Sequence, residues 1–229
     1  MARKPEPGAD EGRVSAQRLS DIAYARILEN LFDRQLPAGA FVSQNDLVTL
    51  LGIPVGPLRD ALRVLEAEGV LKIHPRSGIE FVKPGLELTR STYQFRSIIE
   101  RAAVRMFAET ASSELLQELH AEHAALVTRM VSDEINPEAL LEFERLEVRL
   151  HNSIVGIMSN PLIESSYRRM HNYLRLVRLD RRLTAPLALR SLHEHLQIID
   201  ACIARDPDRA EAALRGHFME ALQRHMGIA

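Results

Sequence analysis

Residues 42–71 read VSQNDLVTLLGIPVGPLRDALRVLEAEGVL, and this stretch decides the fold of the N-terminal part of the chain. Ser43 is a favourable N-cap for a short helix, and Gly52 is a favourable residue to end it. A turn rich in Gly and Pro follows, and Pro57 then occupies a favourable first position for a second helix that ends at Gly69. Two helices joined by a short turn of this kind predict a helix-turn-helix.

The residues on either side of this stretch complete a winged unit. Upstream, apolar residues at helical spacing over 22–31 predict a first helix. Downstream, residues 70–73 and 79–82 are short strand candidates separated by a turn. A β-hairpin in this position makes the unit a winged helix-turn-helix, with His74 and Arg76 at the hairpin tip. These two side chains could reach a DNA minor groove or a phosphate.

The chain changes character at Lys83-Pro84-Gly85, where we place the boundary between two domains. Residues 1–16 carry Pro and Gly among polar residues and are expected to form a disordered arm. The winged helix-turn-helix is assigned to residues 17–84. Residues 85–229 consist of amphipathic segments that predict an all-α bundle of six to seven helices, so the chain as a whole is mainly α. The helices predicted there are 89–110, 112–132, 137–159, 162–180, 186–205 and 207–226.

The composition restricts the kind of protein that the chain can be. Of 229 residues, 46% are hydrophobic and 26% are charged, which is typical of a soluble globular protein. The formal net charge of −2 argues against a nucleic-acid binder that depends on overall positive charge, so a DNA site must be a local stripe. The single cysteine, Cys202, forms no internal disulfide, and no stretch is apolar enough to span a membrane. We therefore expect a cytoplasmic protein without a membrane partner.

The second helix of the helix-turn-helix presents a polar face that suits DNA. With the leucines of this helix buried, Arg59 and Arg63 lie four residues apart on the outer side. An arginine near the N-terminal end of such a helix can bind O6 and N7 of guanine in the major groove. The alternative is a solvated face on which the two arginines pair with Asp60 and Glu66.

Nine histidines are present, and their position along the helices separates them. His120 and His123 lie beside Glu118 and Glu122 and are expected to be exposed. His193 falls on the outer side of its predicted helix. Four other polar groups fall on apolar faces in the helical part.

These four inward groups are Glu147, His151, His195 and His217. Glu147 and His151 lie four residues apart, so they point to the same side of one helix, one turn apart. Burying one such group is costly unless it finds a partner. A divalent metal would satisfy all four, and imidazole and carboxylate suit Zn²⁺, Ni²⁺, Mn²⁺ or Fe²⁺. The alternative is that each histidine is satisfied separately within the core.

The helix-turn-helix sequence resembles the DNA-binding domain of the GntR family of bacterial transcription regulators. The family pattern is roughly L-S-E-x-x-L-A-x-x-L-G-V-S-R-x-P-V-R-E-A-L-x-x-L-x-x-E-G-L, and its wing ends in R-x-G-x-x-V. The chain departs from it at Pro54-Val55, where the family has Ser-Arg, so we expect an altered operator sequence or weaker binding. The matching residues are Gly52, Pro57, Arg59, Ala61, Leu62, Leu65, Glu68, Gly69, Arg76, Gly78 and Val82.

This resemblance implies that the chain binds double-stranded DNA. We expect a homodimer on a palindromic operator, with one half-site for each winged helix. The DNA-binding residues expected from the resemblance and the helix geometry are Gln44, Asn45, Val55, Gly56, Arg59, Arg63, His74 and Arg76.

The helical part resembles the FCD ligand-sensing domain that follows the winged helix in one large GntR subfamily. The opening signature of that domain, L/F-R-x-x-I/L-E-x-x-A-A, corresponds to FRSIIERAA at residues 95–103. Its metal motif is D-x₃-H, then a Glu-His pair, then a final histidine. These elements correspond to Glu147-x₃-His151, Glu194-His195 and His217. Zinc is the metal expected, and Glu147 in place of the usual Asp affects the metal preference and occupancy.

The two resemblances together imply a metabolite-responsive regulator, and we expect a repressor of catabolic or transport genes. Arg96 would pair with a small carboxylate effector bound near the metal. An intrahelical bridge from Arg96 to Glu100 is the alternative for this side chain. A helical metalloenzyme is an alternative function, but the sequence has no Glu-x-x-His or His-Glu-x-x-His motif. A regulator with a purely structural metal is another.

Overall fold

Nine helices and three short strands make up the described part of the chain, residues 9–132, 137–179 and 183–226 of a computed structural model. The chain divides into two compact units between Pro84 and Gly85. The first unit contains the helix-turn-helix and all three strands, and the second is helical throughout its described residues. The predicted fold class, a winged helix-turn-helix followed by an all-α bundle, is confirmed.

Three helices form most of the first unit: α1 (Ala9–Phe32), α2 (Gln44–Leu51) and α3 (Val55–Ala67). Helix α1 begins inside segment 1–16, which the sequence analysis assigned to a disordered arm. No proline interrupts residues 9–32, and a single glycine costs a helix only about 1 kcal/mol, so the helix extends back over much of this segment. Residues 1–8 lie outside the described residues.

Local capping fixes the two helices of the helix-turn-helix. Ser43 Oγ accepts the Asp46 N–H at 3.1 Å, and the Ser43 N–H donates to Asp46 Oδ2 at 3.0 Å, which is a complete capping box. Gly52 ends α2 with a left-handed φ of 65°. Helix α3 begins at Val55, two residues before the predicted start at Pro57. Pro57 is tolerated there because the first N–H groups of a helix have no intrahelical acceptor.

The wing is a small antiparallel sheet in the order β1-β3-β2, formed by β1 (Phe41–Val42), β2 (Leu71–His74) and β3 (Gly78–Phe81). The hairpin of β2 and β3 was predicted, whereas β1 was not. Gly78 is required in this sheet because its φ is 140° and an added Cβ would lie 2.7 Å from the Val42 carbonyl oxygen.

The second unit contains six helices among its described residues. They are α4 (Leu86–Thr110), α5 (Ser113–Ser132), α6 (Pro137–Gly156), α7 (Pro161–Leu179), α8 (Ala185–Ile203) and α9 (Pro207–Met226). Helix α4 packs against α6, α7, α8 and α9, so it carries its inner side chains into the middle of the bundle. None of the helices in the described ranges is long and apolar enough to cross a bilayer.

Candidate functional site

Three imidazole rings meet inside the helical unit. His151 on α6, His195 on α8 and His217 on α9 each offer one ring nitrogen, and these three atoms lie within 4.8 Å of one another. All three side chains are buried. The distances between ring centroids are 4.8 to 5.4 Å. The structure therefore brings together three of the four residues that the sequence analysis assigned to a metal.

Hydrogen bonds orient two of these rings and leave ligand atoms unpaired. The His151 Nδ1–H donates to Glu100 Oε2 at 2.5 Å, and the His217 Nδ1–H donates to Glu194 Oε2 at 2.7 Å. The Nε2 atoms of both rings are buried without a hydrogen-bond partner, as are both nitrogens of His195. A carboxylate on the far nitrogen is the usual support of a metal-bound histidine. This donor set fits a divalent ion.

Burial keeps the imidazoles in the form that binds metal. Removal from water and the nearby Arg96 charge together lower the pKa of His151 to about 4, although Glu100 opposes them. The pKa of His195 also lies well below its usual value, mainly because of burial. Both rings are therefore neutral near pH 7, and a neutral imidazole presents a free lone pair to an ion.

Glu100 connects this cluster to a buried arginine. Its Oε1 accepts the Arg96 Nε–H at 2.6 Å and the Tyr167 hydroxyl at 2.9 Å, while its Oε2 accepts His151. Burial alone would raise the pKa of Glu100, but Arg96 and His151 outweigh burial and lower it to about 2. Glu100 is thus an ionised carboxylate in the core, a role that the sequence analysis did not assign to it.

Glu147, the fourth predicted ligand, is held by arginines. It lies one helical turn before His151 and is buried, but it is not one of the groups that meet within 4.8 Å. Arg178 donates to Glu147 Oε1, and Arg96 Nη1 lies 3.5 Å from the same oxygen. Burial would raise the pKa of Glu147, but these two cations keep it well below its usual value. Both of these cation contacts are to Oε1 of the carboxylate.

A cavity of about 330 Å³ adjoins the histidine cluster. His217 and Glu147 both form part of its wall, so the cavity reaches the candidate metal position. Arg178 and Arg224 also line it, and neither was predicted from the sequence. Residues 167, 171, 174 and 178 follow helical spacing on α7, and Arg224 lies two turns after His217 on α9, so periodicity could have placed both cations on inner faces. The other lining residues are Tyr93, Phe143, Glu144, Leu183, Leu187, Ser191, Ala221 and His225.

Arg96, the predicted effector residue, forms the bridge that the sequence analysis considered as its alternative. Its side chain is 1% exposed, its Nε binds Glu100 and its guanidinium lies 4.7 Å from the centre of the Phe218 ring. Its Nη1 and Nη2 atoms make no hydrogen bond, although they are buried. Arg96 is not one of the residues lining the cavity, but it contacts Glu147, which is.

The predicted DNA-binding residues divide into two groups in the first unit. A groove of about 410 Å³ lies between the helix-turn-helix and the wing. The predicted residues Gln44, Arg59, Arg63, His74 and Arg76 all line this groove. Asn45, Val55 and Gly56 are exposed on α2 and at the start of α3 but do not form the groove wall.

The cations of this groove are exposed and only weakly engaged. Arg59 Nε donates to Gln44 Oε1 at 3.1 Å, a neutral partner. Arg63 lies 3.8 Å from Asp60, and both side chains are largely exposed. The other acidic residue considered for pairing, Glu66, instead accepts the backbone N–H of Ile73 at 2.7 Å. Exposed pairs of this kind contribute little, so both arginines remain available to a phosphate or base.

At the wing tip, Arg76 is exposed and adopts a left-handed φ of 67°. His74 Nε2 makes a 2.7 Å hydrogen bond with Glu80 across the β2–β3 pair. The two tip residues therefore differ, because Arg76 is exposed while His74 is partly engaged by Glu80.

The two units match known families of bacterial regulators. Residues 19–81 match the gntR family of bacterial regulatory proteins, and residues 91–220 match the FCD domain. The HTH-type transcriptional repressor NanR of Salmonella schwarzengrund is 26% identical over 199 residues, which are 76% of this chain and 72% of NanR. The HTH-type transcriptional regulator YdhC of Bacillus subtilis is 20% identical over 195 residues, 85% of each chain.

Solved structures share the fold. A GntR regulator from Rhodococcus sp. RHA1 has a TM-score of 0.73 at 18% identity, covering 93% of this chain and 99% of that chain. McbR/YncC of E. coli has a TM-score of 0.72 at 16% identity, covering 91% of this chain and 97% of that chain. The Zn²⁺-bound FCD domain of TM0439 has a TM-score of 0.51 at 23% identity, covering 62% of this chain and 94% of that domain.

The fold and these matches define a transcription regulator with a helix-turn-helix DNA-binding domain. The chain belongs to the GntR family of bacterial regulatory proteins, with an FCD domain as its second unit. The resemblance found in the sequence is thereby confirmed. The family consists of regulators, which also confirms that the chain is not an enzyme and removes the metalloenzyme alternative.

Proposed function

We propose that the chain acts as a homodimeric repressor of catabolic or transport genes, and that its FCD domain binds a divalent metal and a small carboxylate effector. The observation that carries this proposal is the group of three buried imidazoles: each offers one ring nitrogen within 4.8 Å of the others, and each has a buried nitrogen without a hydrogen-bond partner. Leaving several buried polar atoms unpaired is costly, and one ion would satisfy them together.

Zinc is the metal that we propose, with nickel, manganese or iron as alternatives. His151, His195 and His217 would hold the ion, and Glu147 is the candidate fourth ligand one turn before His151. The zinc-bound FCD domain of TM0439 shares this fold and supports the choice. A bound divalent ion supplies a Lewis acid with positions open to a carboxylate oxygen.

The effector site that we propose is the 330 Å³ cavity beside the histidines. Its volume suits a small metabolite, and its wall carries Arg178 and Arg224. Arg178 is paired with Glu147, so any movement of Glu147 towards the histidines would leave Arg178 and Arg96 to attract an anionic ligand. Arg96 is accordingly proposed as an effector-binding residue through its two Nη groups, which are buried without a hydrogen bond.

The DNA site that we propose is the exposed face of α3 together with the wing. Arg59 would read a guanine edge in the major groove, and Arg63 and Arg76 would contact phosphates or the adjacent minor groove. Asn45, Val55 and Gly56 would approach the DNA backbone at the start of the helix-turn-helix. A homodimer would place two such units on a palindromic operator. The relative NanR is named as a transcriptional repressor, which supports repression as the consequence of DNA binding.

Metal content tests the first half of this proposal. The native chain, purified and dialysed, is expected to retain close to one zinc per chain by elemental analysis. His151→Ala and His217→Ala are expected to lose the metal, because each removes one of three converging ligands. His193→Ala is the matched control, since His193 lies on the exposed side of α8. If the native chain and the three variants contain equal amounts of zinc, these histidines do not form a metal site.

DNA binding and sensing are tested together in a gel shift. A duplex of about 30 base pairs that contains the palindrome of the protein's own promoter is expected to shift at low salt. Small carboxylates such as acetate or succinate are then titrated with and without a chelator. A carboxylate effect that disappears with the chelator supports sensing, whereas binding that no carboxylate alters favours a structural metal. The absence of any shift with upstream fragments would contradict the proposal.

A further inference from the structure

One of the three converging histidines differs from the other two in its support. Glu100 orients the His151 ring and Glu194 orients the His217 ring, each through a short hydrogen bond to Nδ1. His195 has no such carboxylate, and both of its ring nitrogens are buried without a partner. One nitrogen can bind a metal, but the other then carries a proton that has no acceptor.

His123 on α5 lies beside this ring. It is completely buried, contrary to the expectation from its acidic sequence neighbours. The centroids of the His123 and His195 rings are 5.4 Å apart, and the ring planes are inclined at 71°. On another side of His195, Phe143 stacks at 6.3 Å and offers no acceptor.

The tautomer of His123 is fixed by the backbone. Its Nδ1 is 2.7 Å from the Leu119 carbonyl oxygen, which only accepts hydrogen bonds, so Nδ1 carries the proton. Its Nε2 is therefore a bare lone pair, and this atom is also buried without a partner. His123 Nε2 is thus an acceptor without a donor, and it belongs to a ring next to His195, whose non-ligating N–H has no acceptor.

We propose that His123 is a positioning residue for His195, whose non-ligating N–H donates to His123 Nε2. The inference rests on the metal site proposed above. At the observed centroid distance, nitrogens of the two rings that face each other would lie within hydrogen-bond reach. The contact fixes which His195 nitrogen faces the ion, as Glu100 and Glu194 do for the other two rings. It does so without adding another negative charge to a core that already holds Glu100 and Glu147.

Two variants of nearly equal size separate this role from simple packing. His123→Leu fills the space without an acceptor, whereas His123→Gln places an amide oxygen close to the former Nε2. Zinc affinity of the full chain is measured by competition with a chelator. We expect His123→Leu to weaken zinc binding about 10- to 100-fold and His123→Gln to restore most of it. His120→Leu, at a partly exposed position of the same helix where His120 contacts Asp200, is the control and should leave the affinity unchanged.

The Co²⁺-substituted chain gives a second readout, because its absorption spectrum reports ligand geometry. The spectrum should change in His123→Leu and return towards the native one in His123→Gln. Equal losses in both variants, or no loss in either, would overturn the positioning role. If native chain binds no zinc at all, the proposed metal site itself fails.

A measurement on the native chain covers the case in which His123→Leu does not fold. With ¹⁵N-labelled histidine and zinc bound, the non-ligating N–H of His195 should give a signal protected from exchange with water. A rapidly exchanging proton at that nitrogen would contradict a hydrogen bond to His123.

Discussion

The two units place their functional charges in opposite environments. In the first unit, Arg63 is 75% exposed and its partner Asp60 is 64% exposed. In the second unit, Arg96 is 1% exposed and Glu100 is fully buried. Water screens the first pair, so each member can change with little effect on folding. The second pair is shielded from water, so removing one member leaves an uncompensated charge in the core.

This difference indicates how each site can vary. The DNA surface departs from its family pattern at Pro54-Val55, both exposed positions at the start of α3. In the helical unit the same carboxylate, Glu100, holds Arg96, Tyr167 and His151 together. A change there would alter the fold and the candidate metal site at once.

The largest effect is expected for Glu100→Gln. The variant keeps the shape but removes the charge opposite Arg96, and breaking a buried ion pair costs about 3–5 kcal/mol. Native-state hydrogen exchange of the full, metal-free chain, which reports the stability of each unit separately, should show this loss in the helical unit.

The matched variant for Glu100→Gln is Asp60→Asn, which breaks the exposed pair with Arg63. Its cost should stay below about 1 kcal/mol and be confined to the first unit. If the two substitutions cost the same, the contrast between a screened and a buried site would be wrong.

Most of the fold was predictable because residues that end or begin a helix can be recognised in the sequence. Pro161 and Pro207 begin α7 and α9 at or beside the predicted boundaries, since proline interrupts a preceding helix. Strand β1 was missed because two residues are too short to display an alternating pattern. The start of α3 was placed at Pro57 because proline favours the first position, although any of the first few positions accepts it.

The candidate site was predictable only where burial has a periodic signature. His151, His195 and His217 recur on apolar faces, so their convergence followed from helical spacing. His123 was misplaced because charged neighbours outweighed a signal that was present: Leu119, Leu126 and Met130 share its face at helical spacing. Arg96 and Glu100 lie four residues apart, and such a pair usually indicates a solvated bridge. Only the packing of α4 reveals that this pair is in the core.

An intermediate effect is expected for Arg59→Ala, which should change DNA binding but not stability. Removing an arginine that binds a base edge should weaken specific DNA binding by about 1–3 kcal/mol, roughly 5- to 150-fold, at fixed salt. Because the side chain is exposed, the stability of the first unit should not change beyond about 0.5 kcal/mol. Gel-shift titration and hydrogen exchange measure the two quantities on the same preparation.

Arg59→Lys separates charge from geometry at this position. Lysine keeps the positive charge but cannot form the two parallel hydrogen bonds of a guanidinium, so affinity for non-specific DNA should be retained and specificity reduced. Equal affinity of Arg59→Ala and the native chain for the operator would show that this side chain does not read DNA.

The smallest effect is expected for Ser43→Ala. It tests whether the first unit is stabilised by local helix caps, whereas the second unit is stabilised by buried charge pairs. Ser43 Oγ accepts the Asp46 N–H at the start of α2, and loss of such a cap costs about 1 kcal/mol. Hydrogen exchange should show faster opening of α2, next to Gln44, with the helical unit unaffected. Thr49→Ala, an exposed hydroxyl later in the same helix that donates to the Asn45 carbonyl, is the control and should change stability by less than about 0.5 kcal/mol. A loss for Ser43→Ala as large as that for Glu100→Gln would mean that the first unit, despite its exposed charges, tolerates substitution no better than the second.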